Sequence, residues 1–153
     1  MSKGTSSIGT CMAFSAGLGV NQTEYEALTW SASGEVTNIG ELGVMNEVIK
    51  YNTLCDGVTH KRMGATDYGT MTVEMLFDSD NAAQVIIQAA ADNKTPLSAR
   101  LTFPLAVDNT TSDIVYFEAY VQQARTATGA SSDTVRYNVT LEIDGEPVSV
   151  AAT

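Results

Sequence analysis

Apolar and polar residues alternate most cleanly late in the chain, where Val135, Tyr137, Val139, Leu141 and Ile143 are opposed by Thr134, Arg136, Asn138, Thr140 and Glu142. A period of two with one side polar throughout predicts a half-buried strand. Asp144 and Gly145 then predict a turn into a last short strand over 147–150. The same period runs through 114–126, with Ile114, Tyr116 and Tyr120 facing one way and Val115, Phe117, Ala119 and Val121 the other. It recurs over 97–105 through Ala99, Leu101 and Phe103, with Pro104 at a strand end. Over 70–77, Met71, Val73, Met75 and Phe77 share one face against Thr70, Thr72, Glu74 and Leu76. Over 48–54 the faces are Val48, Lys50, Asn52, Leu54 and Ile49, Tyr51, Thr53. Weaker strands are predicted over 8–15, 24–33, 36–39 and 44–45, the middle ones separated by Gly34, Gly40 and Gly43. Residues 107–113 and 129–133 read as polar turns.

One segment departs from this period. Ser79, Asp80 and Asn81 offer N-cap oxygens, and the spacing of Asn81 and Gln84 is that of a capping box. Ala82, Val85, Ile86, Ala89 and Ala90 follow as an apolar stripe at helical spacing. Asn93 suits the left-handed position after a helix, Lys94 complements the dipole and Pro96 forbids continuation. A helix over 81–93 flanking many strands predicts a mainly β fold: a sandwich or open barrel of two packed antiparallel sheets.

Length fits one domain over 1–153, with a flexible N-terminal arm at 1–7. Eighteen acidic against eight basic residues give a formal charge of -10. No Lys or Arg falls between Lys3 and Lys50, whereas Glu24, Glu26, Glu35, Glu41 and Glu47 do. Such a surface disfavours binding to DNA or an anionic membrane, since neutralising phosphates needs cations. Residues 1–10 lack the features of a secretion signal, so a reduced context is expected, with Cys11 and Cys55 acting as small hydrophobes. In that context the Asn-x-Thr triplets at Asn21, Asn93, Asn109 and Asn138 are chance.

No constellation carries catalysis. His60 is the single histidine and has no nucleophile motif beside it. Two distant cysteines and one histidine do not make a zinc set. Asp78 and Asp80 open like a calcium loop, but Ala83 and Ala89 stand where its glycine and glutamate belong. Gly17 and Gly19 lack the third glycine of a dinucleotide loop. No enzyme, metal or cofactor is expected.

Residues 55–69 are different in kind. They read as a loop longer than a hairpin needs, with no element of its own. His60, Lys61 and Arg62 make it the one concentrated basic spot on an acidic chain. It is either a solvated loop or an extension that docks on an acidic neighbour, and that neighbour could be another copy of the chain.

Residues 34–43, GEVTNIGELG, resemble the "GEVTSIGEFG" segment of the major tail tube proteins of long, non-contractile-tailed phages. Leu54, Asp56, Gly57, Lys61, Gly64, Asp67 and Gly69 are similar to that family's pattern of a turn, a lysine and spaced glycines. Gly129, Asp133, Val135 and the run from Asp144 to Val148 resemble its close. The resemblance covers about 27–150, and the further immunoglobulin-like domain of some relatives is not seen. It implies a lambda-like tail tube fold, related to type VI secretion tube proteins. It also implies hexameric rings stacked into a hollow tube through which DNA is ejected without specific binding. Asp56, Gly57, His60, Lys61, Arg62, Gly64, Asp67 and Gly69 would then form the inter-ring loop. Further implied partners are a tape measure, a tail terminator and tail tip proteins, with assembly in the bacterial cytoplasm and no membrane. Carboxylates along the lumen would repel phosphates. The alternatives are a type VI-like tube ring and a non-enzymatic β-sandwich binding module, which genomic neighbours and oligomeric state would separate.

Overall fold

The strands expected from period-two patterning are present in a computed structural model that describes residues 8–105 and 110–151. The expected N-terminal arm and part of the 107–113 turn lie outside the described residues. In chain order the elements are β1 (Cys11–Ser15), α1 (Gln22–Glu26), β2 (Ser31–Ala32), β3 (Val36–Ile39), β4 (Met45–Asn52) and β5 (Thr59–Asp67). They continue as β6 (Thr70–Leu76), α2 (Ala82–Asn93), β7 (Pro96–Thr102), β8 (Ile114–Ala127) and β9 (Arg136–Val150). The fold is mainly β with a flanking helix, as expected. Its larger sheet is one curled, antiparallel, seven-stranded sheet in the order β2-β1-β7-β8-β9-β6-β3, and β4 and β5 pair apart from it.

Curling lets the sheet bury one face on itself and on α2. Met71, Val73 and Met75 of β6, Tyr137, Val139 and Leu141 of β9, and Leu97, Ala99 and Leu101 of β7 all point into that core. Phe117 and Ala119 of β8 join them, as do Met12 and Phe14 of β1. Fully burying one such side chain contributes about 1.5–3 kcal/mol, which makes this face the main source of stability.

The helix starts where expected. Asn81 Oδ1 accepts from the N–H groups of Ala83 (3.0 Å) and Gln84 (3.2 Å). Its buried face, however, is rotated by about one residue from the expected stripe. Ala83, Gln84, Ile87 and Ala90 face the core, while Ala82, Val85 and Ala89 are exposed. Gln84 does not close a capping box. Its Nε2 donates to the Leu76 carbonyl (2.8 Å), and its Oε1 accepts from the Asp78 N–H (3.0 Å). The helix ends at Asn93, as expected, but Lys94 and not Asn93 takes the left-handed conformation (φ 56°).

Three further expectations are corrected. Residues 22–26 form a short helix, capped by Asn21 Oδ1 on the Glu24 N–H (3.0 Å). It presses Tyr25 onto Tyr116, rings 5.3 Å apart and nearly parallel, on the sheet face away from α2. Asp144 and Gly145 do not end a strand. β9 continues to Val150, and the turn-like residues 145–147 bulge opposite Phe117 of β8. Cys11 and Cys55 are free and exposed, so neither packs as a core hydrophobe.

Candidate inter-subunit surfaces

Residues 55–69 are not a loop without structure. Residues 59–67 are β5, paired antiparallel with β4 in a hairpin that stands off the main sheet. Glycines set its base. At Gly40 a Cβ would lie 2.9 Å from the Thr72 carbonyl oxygen, so only glycine lets the chain leave β3 pressed against β6. At Gly69 the chain returns with φ 79°, its N–H on Asp67 Oδ1 (2.8 Å) and its carbonyl accepting from the Ile143 N–H (3.1 Å). Both glycines belong to the segments that carried the family resemblance.

Asp56 organises the tip. Its Oδ1 accepts from Thr53 Oγ1 (2.5 Å) and the Val58 N–H (2.9 Å), and its Oδ2 lies 2.8 Å from His60 Nε2. The Thr53 hydroxyl, then the Val58 N–H and the His60 ring, hold the carboxyl below its ordinary pKa, because each stabilises the charged form. Gly57 follows with φ 65°, and Leu54 beside it is wholly exposed.

The basic trio does not stay together. Strand pairing puts Tyr51 opposite His60, Ile49 opposite Arg62, and Gly64 beside Ile49 on one hairpin face. There the Tyr51 ring stacks on His60 (5.4 Å), with the Arg62 guanidinium 5.5 Å from its centre. Lys61 turns to the other face, directly opposite Lys50, with Val48 opposite Met63 beyond them. A bulge at Gly64 and Ala65 opposite Glu47 bends the hairpin toward its base, where Asp67 pairs with Met45. Thus Asp56, Gly57 and His60 gather at the tip, Arg62 and Gly64 follow on one face, Lys61 lies on the other, and Asp67 and Gly69 close the base.

Every residue of β4 is exposed. Val44, Met45, Val48, Ile49, Val58 and Met63 are among the exposed large apolar residues. An isolated two-stranded hairpin is marginal in water, and exposed apolar side chains on both of its faces make it a candidate interaction surface. Val48, Lys50, Tyr51 and Met63 were absent from the site expected from sequence. The alternation over 48–54 was the signal for the first three, but it could not say that both faces lack a core, and nothing signalled Met63.

A second surface is the wet face of β6 and β9. Thr70, Thr72 and Glu74 lie opposite Glu142, Thr140 and Asn138. Thr70 Oγ1 donates to Glu142 (2.9 Å), and Arg136 binds Glu74 at 2.8 Å. Arg136 therefore offsets one carboxylate of this face, while the Glu142 carboxylate accepts from a hydroxyl. On β8, desolvation and then the facing Asp144 raise the pKa of Glu118 above the ordinary carboxylate range. Among the described residues no cluster of His, Cys, Asp and Glu is arranged to hold a metal ion.

Comparison with solved structures finds the same fold in tube-forming assemblies. A chain of the anti-feeding prophage baseplate superposes with a TM-score of 0.75 at 9% identity, over 99% of this chain and 98% of that one. The SPP1 tail tube protein gives 0.64 at 12% identity, over 93% and 76%. A chain from the sheath/tube terminator of the PVC extracellular contractile injection system gives 0.67 at 9%, over 98% and 99%. No curated protein matches the chain. At these identities the likeness is one of fold. The sequence itself matches the family model of the phage tail tube protein over residues 5–152, so the chain belongs to the phage tail tube protein family and is a structural component of the virion tail.

Proposed function

We propose that this tail tube subunit assembles into hexameric rings that stack into a hollow tube, with the β4–β5 hairpin as the ring-to-ring element. The observation that carries this reading is the hairpin. Among the described residues it exposes apolar side chains on both faces, its strands do not pair with the main sheet, and it is anchored at a base built of special glycines. Such an element is stable when a neighbouring copy covers it. In the ring, neighbouring sheets continue into one inner barrel, and the polar face of β6, β9 and β8 is the side available to water in the lumen. DNA would pass along that wall without specific binding. Its remaining carboxylates repel phosphates within a Debye length of about 8 Å at physiological salt, and a channel of one sign focuses that field. A tape measure, a terminator and tip proteins would complete the tail, assembled in the host cytoplasm. The fold shared with a tube terminator supports a stack that ends on a related ring.

Light scattering and negative-stain microscopy of the purified protein test this reading. Rings or tubes are expected as concentration rises. A species that stays monomeric at every concentration overturns it. A reconstructed tube with a neutral or basic inner wall would remove the electrostatic part alone.

A further inference from the structure

A groove of about 420 Å³ runs along the outer side of α2, between the helix and the ends of β6, β8 and β9. Phe77, Val85, Ala89 and Tyr137 make its walls largely apolar, and Asp78 and Asp92 bracket it at the two ends of the helix. Val85 is 56% exposed and Phe77 44%, although both are large apolar residues. Asp92 is also placed at an electrostatic cost. It sits in the last turn of α2, where the helix dipole favours a cation, and its carboxylate accepts from Gln88 Nε2 of its own helix at 3.1 Å.

The hairpin carries the complement. On the face of β4–β5 away from Tyr51, Val48 pairs with Met63 and Lys50 pairs with Lys61. Like charges directly opposite across strands destabilise a hairpin. Among the described residues the ion pairs are His60 with Asp56 and Arg136 with Glu74, so neither lysine is neutralised within the subunit. Arg62 and His60, on the opposite face, already have Tyr51 and Asp56. The unsatisfied face is therefore two apolar side chains beside two lysines. The groove is an apolar trough between two aspartates.

Position completes the match. The hairpin leaves and rejoins the sheet at the Thr70 end of β6, and the groove begins at Phe77, beyond the other end. Seven residues of strand separate them, roughly 23 Å. Within a stack of rings, a protrusion at one end and its receptor at the other can repeat head to tail along the axis.

Resting on the tube reading above, we propose that the Val48/Met63/Lys50/Lys61 face of the hairpin docks in the α2 groove of a subunit in the adjacent ring. The two lysines meet Asp78 and Asp92, and Met63 and Val48 cover Phe77 and Val85.

Disulfide trapping tests the contact in assembled tubes, with Cys11→Ser and Cys55→Ser in every subunit. Subunits bearing Met63→Cys are mixed with subunits bearing Val85→Cys, assembled, oxidised and run on a non-reducing gel. A covalent dimer joining residues 63 and 85 is expected, with far less from an Ile49→Cys and Val85→Cys mixture, because Ile49 is on the other hairpin face. Tubes that form normally but give no 63–85 dimer, or give the 49–85 dimer equally, overturn the docking and leave the tube reading standing. A parent protein that never assembles overturns both. Charge reversal is the second readout. Lys50→Glu/Lys61→Glu and Asp78→Lys/Asp92→Lys subunits, each folded by circular dichroism, should each assemble at least tenfold more slowly than parent. Combining all four reversals in one chain should recover most of the rate. Assembly of either double variant at the parental rate, or no recovery in the combined one, overturns the proposal.

Discussion

Replacing Gln84 by Leu isolates the contact that fixes the mouth of the α2 groove. Gln84 is 5% exposed, and its amide bridges two backbone groups: Nε2 donates to the Leu76 carbonyl (2.8 Å) and Oε1 accepts from the Asp78 N–H (3.0 Å). Leucine keeps the volume and the helix propensity but leaves both groups without that partner. A partly buried polar group losing its partner costs about 1–3 kcal/mol, so two cost about 2–6 kcal/mol if water reaches neither. Leucine returns about 1 kcal/mol or more by burying apolar surface, and water at the loop edge recovers part of the rest. A net loss of about 2 kcal/mol is expected. For a chain of this size that lowers the melting temperature by about 4–8 °C. Urea unfolding followed by circular dichroism reads it as a lower midpoint with an unchanged slope. Gln84→Glu discriminates further. It retains the acceptor for Asp78 but sets a carboxylate against the Leu76 carbonyl, so its deficit should shrink as acid protonates the new side chain. If Gln84→Leu is within about 0.5 kcal/mol of parent, the bridge is not what holds Phe77 and Asp78 in place.

Three other outcomes follow from the same structure. Glu118 has its pKa raised by desolvation and then by Asp144, so the parent loses stability as pH rises from the ordinary glutamate pKa through the raised one. Glu118→Gln should abolish that loss and be more stable at pH 7 by less than about 1 kcal/mol, since the group is only partly buried and solvent screens it; equal pH profiles in thermal melts would count against it. Asp56 has the opposite sign: its pKa is lowered by the Thr53, Val58 and His60 contacts, so its support of the turn is present above the ordinary aspartate pKa and is lost as pH falls through the lowered one. Asp56→Ala should speed hydrogen exchange across residues 53–60 and leave the core unchanged, and equal exchange would show that the turn holds without it. Lys61→Glu/Arg62→Glu should stay folded and grow tubes poorly, with most of the defect arising from Lys61; growth like the parent would make the hairpin's charge incidental.

Legibility in the sequence followed the presence of a core. β9 was readable because Tyr137, Val139, Leu141 and Ile143 are buried while their neighbours are wet. β5 was not, because Thr59 to Asp67 has no buried side, and a strand without a core has nothing to alternate toward. The α2 stripe was misplaced for a related reason. Alanines fill both candidate faces, and the residue that marks the true one, Gln84, is polar and buried for its hydrogen bonds. α1 is too short, at five residues, to show a helical period. In the candidate site, Asp56 and His60 do meet, whereas Lys61 and Arg62 part, since adjacent residues of a strand point to opposite faces.

That parting bears on how so acidic a chain associates with itself. At a formal charge of -10, two copies repel one another at a distance. Screening confines that repulsion to about 8 Å at physiological salt, and contact must then be won locally. A floppy loop bearing three cations would attract acid from any direction and select no register. A paired hairpin holds Lys50 and Lys61 on one face and occupies Arg62 and His60 on the other. One side is therefore left to seek carboxylates, in one orientation, with Val48 and Met63 beside it to exclude water. The acid elsewhere works against promiscuous contacts, and the few free cations choose the partner surface. The cross-strand lysine pair that weakens the lone hairpin is the feature that makes a docked one specific.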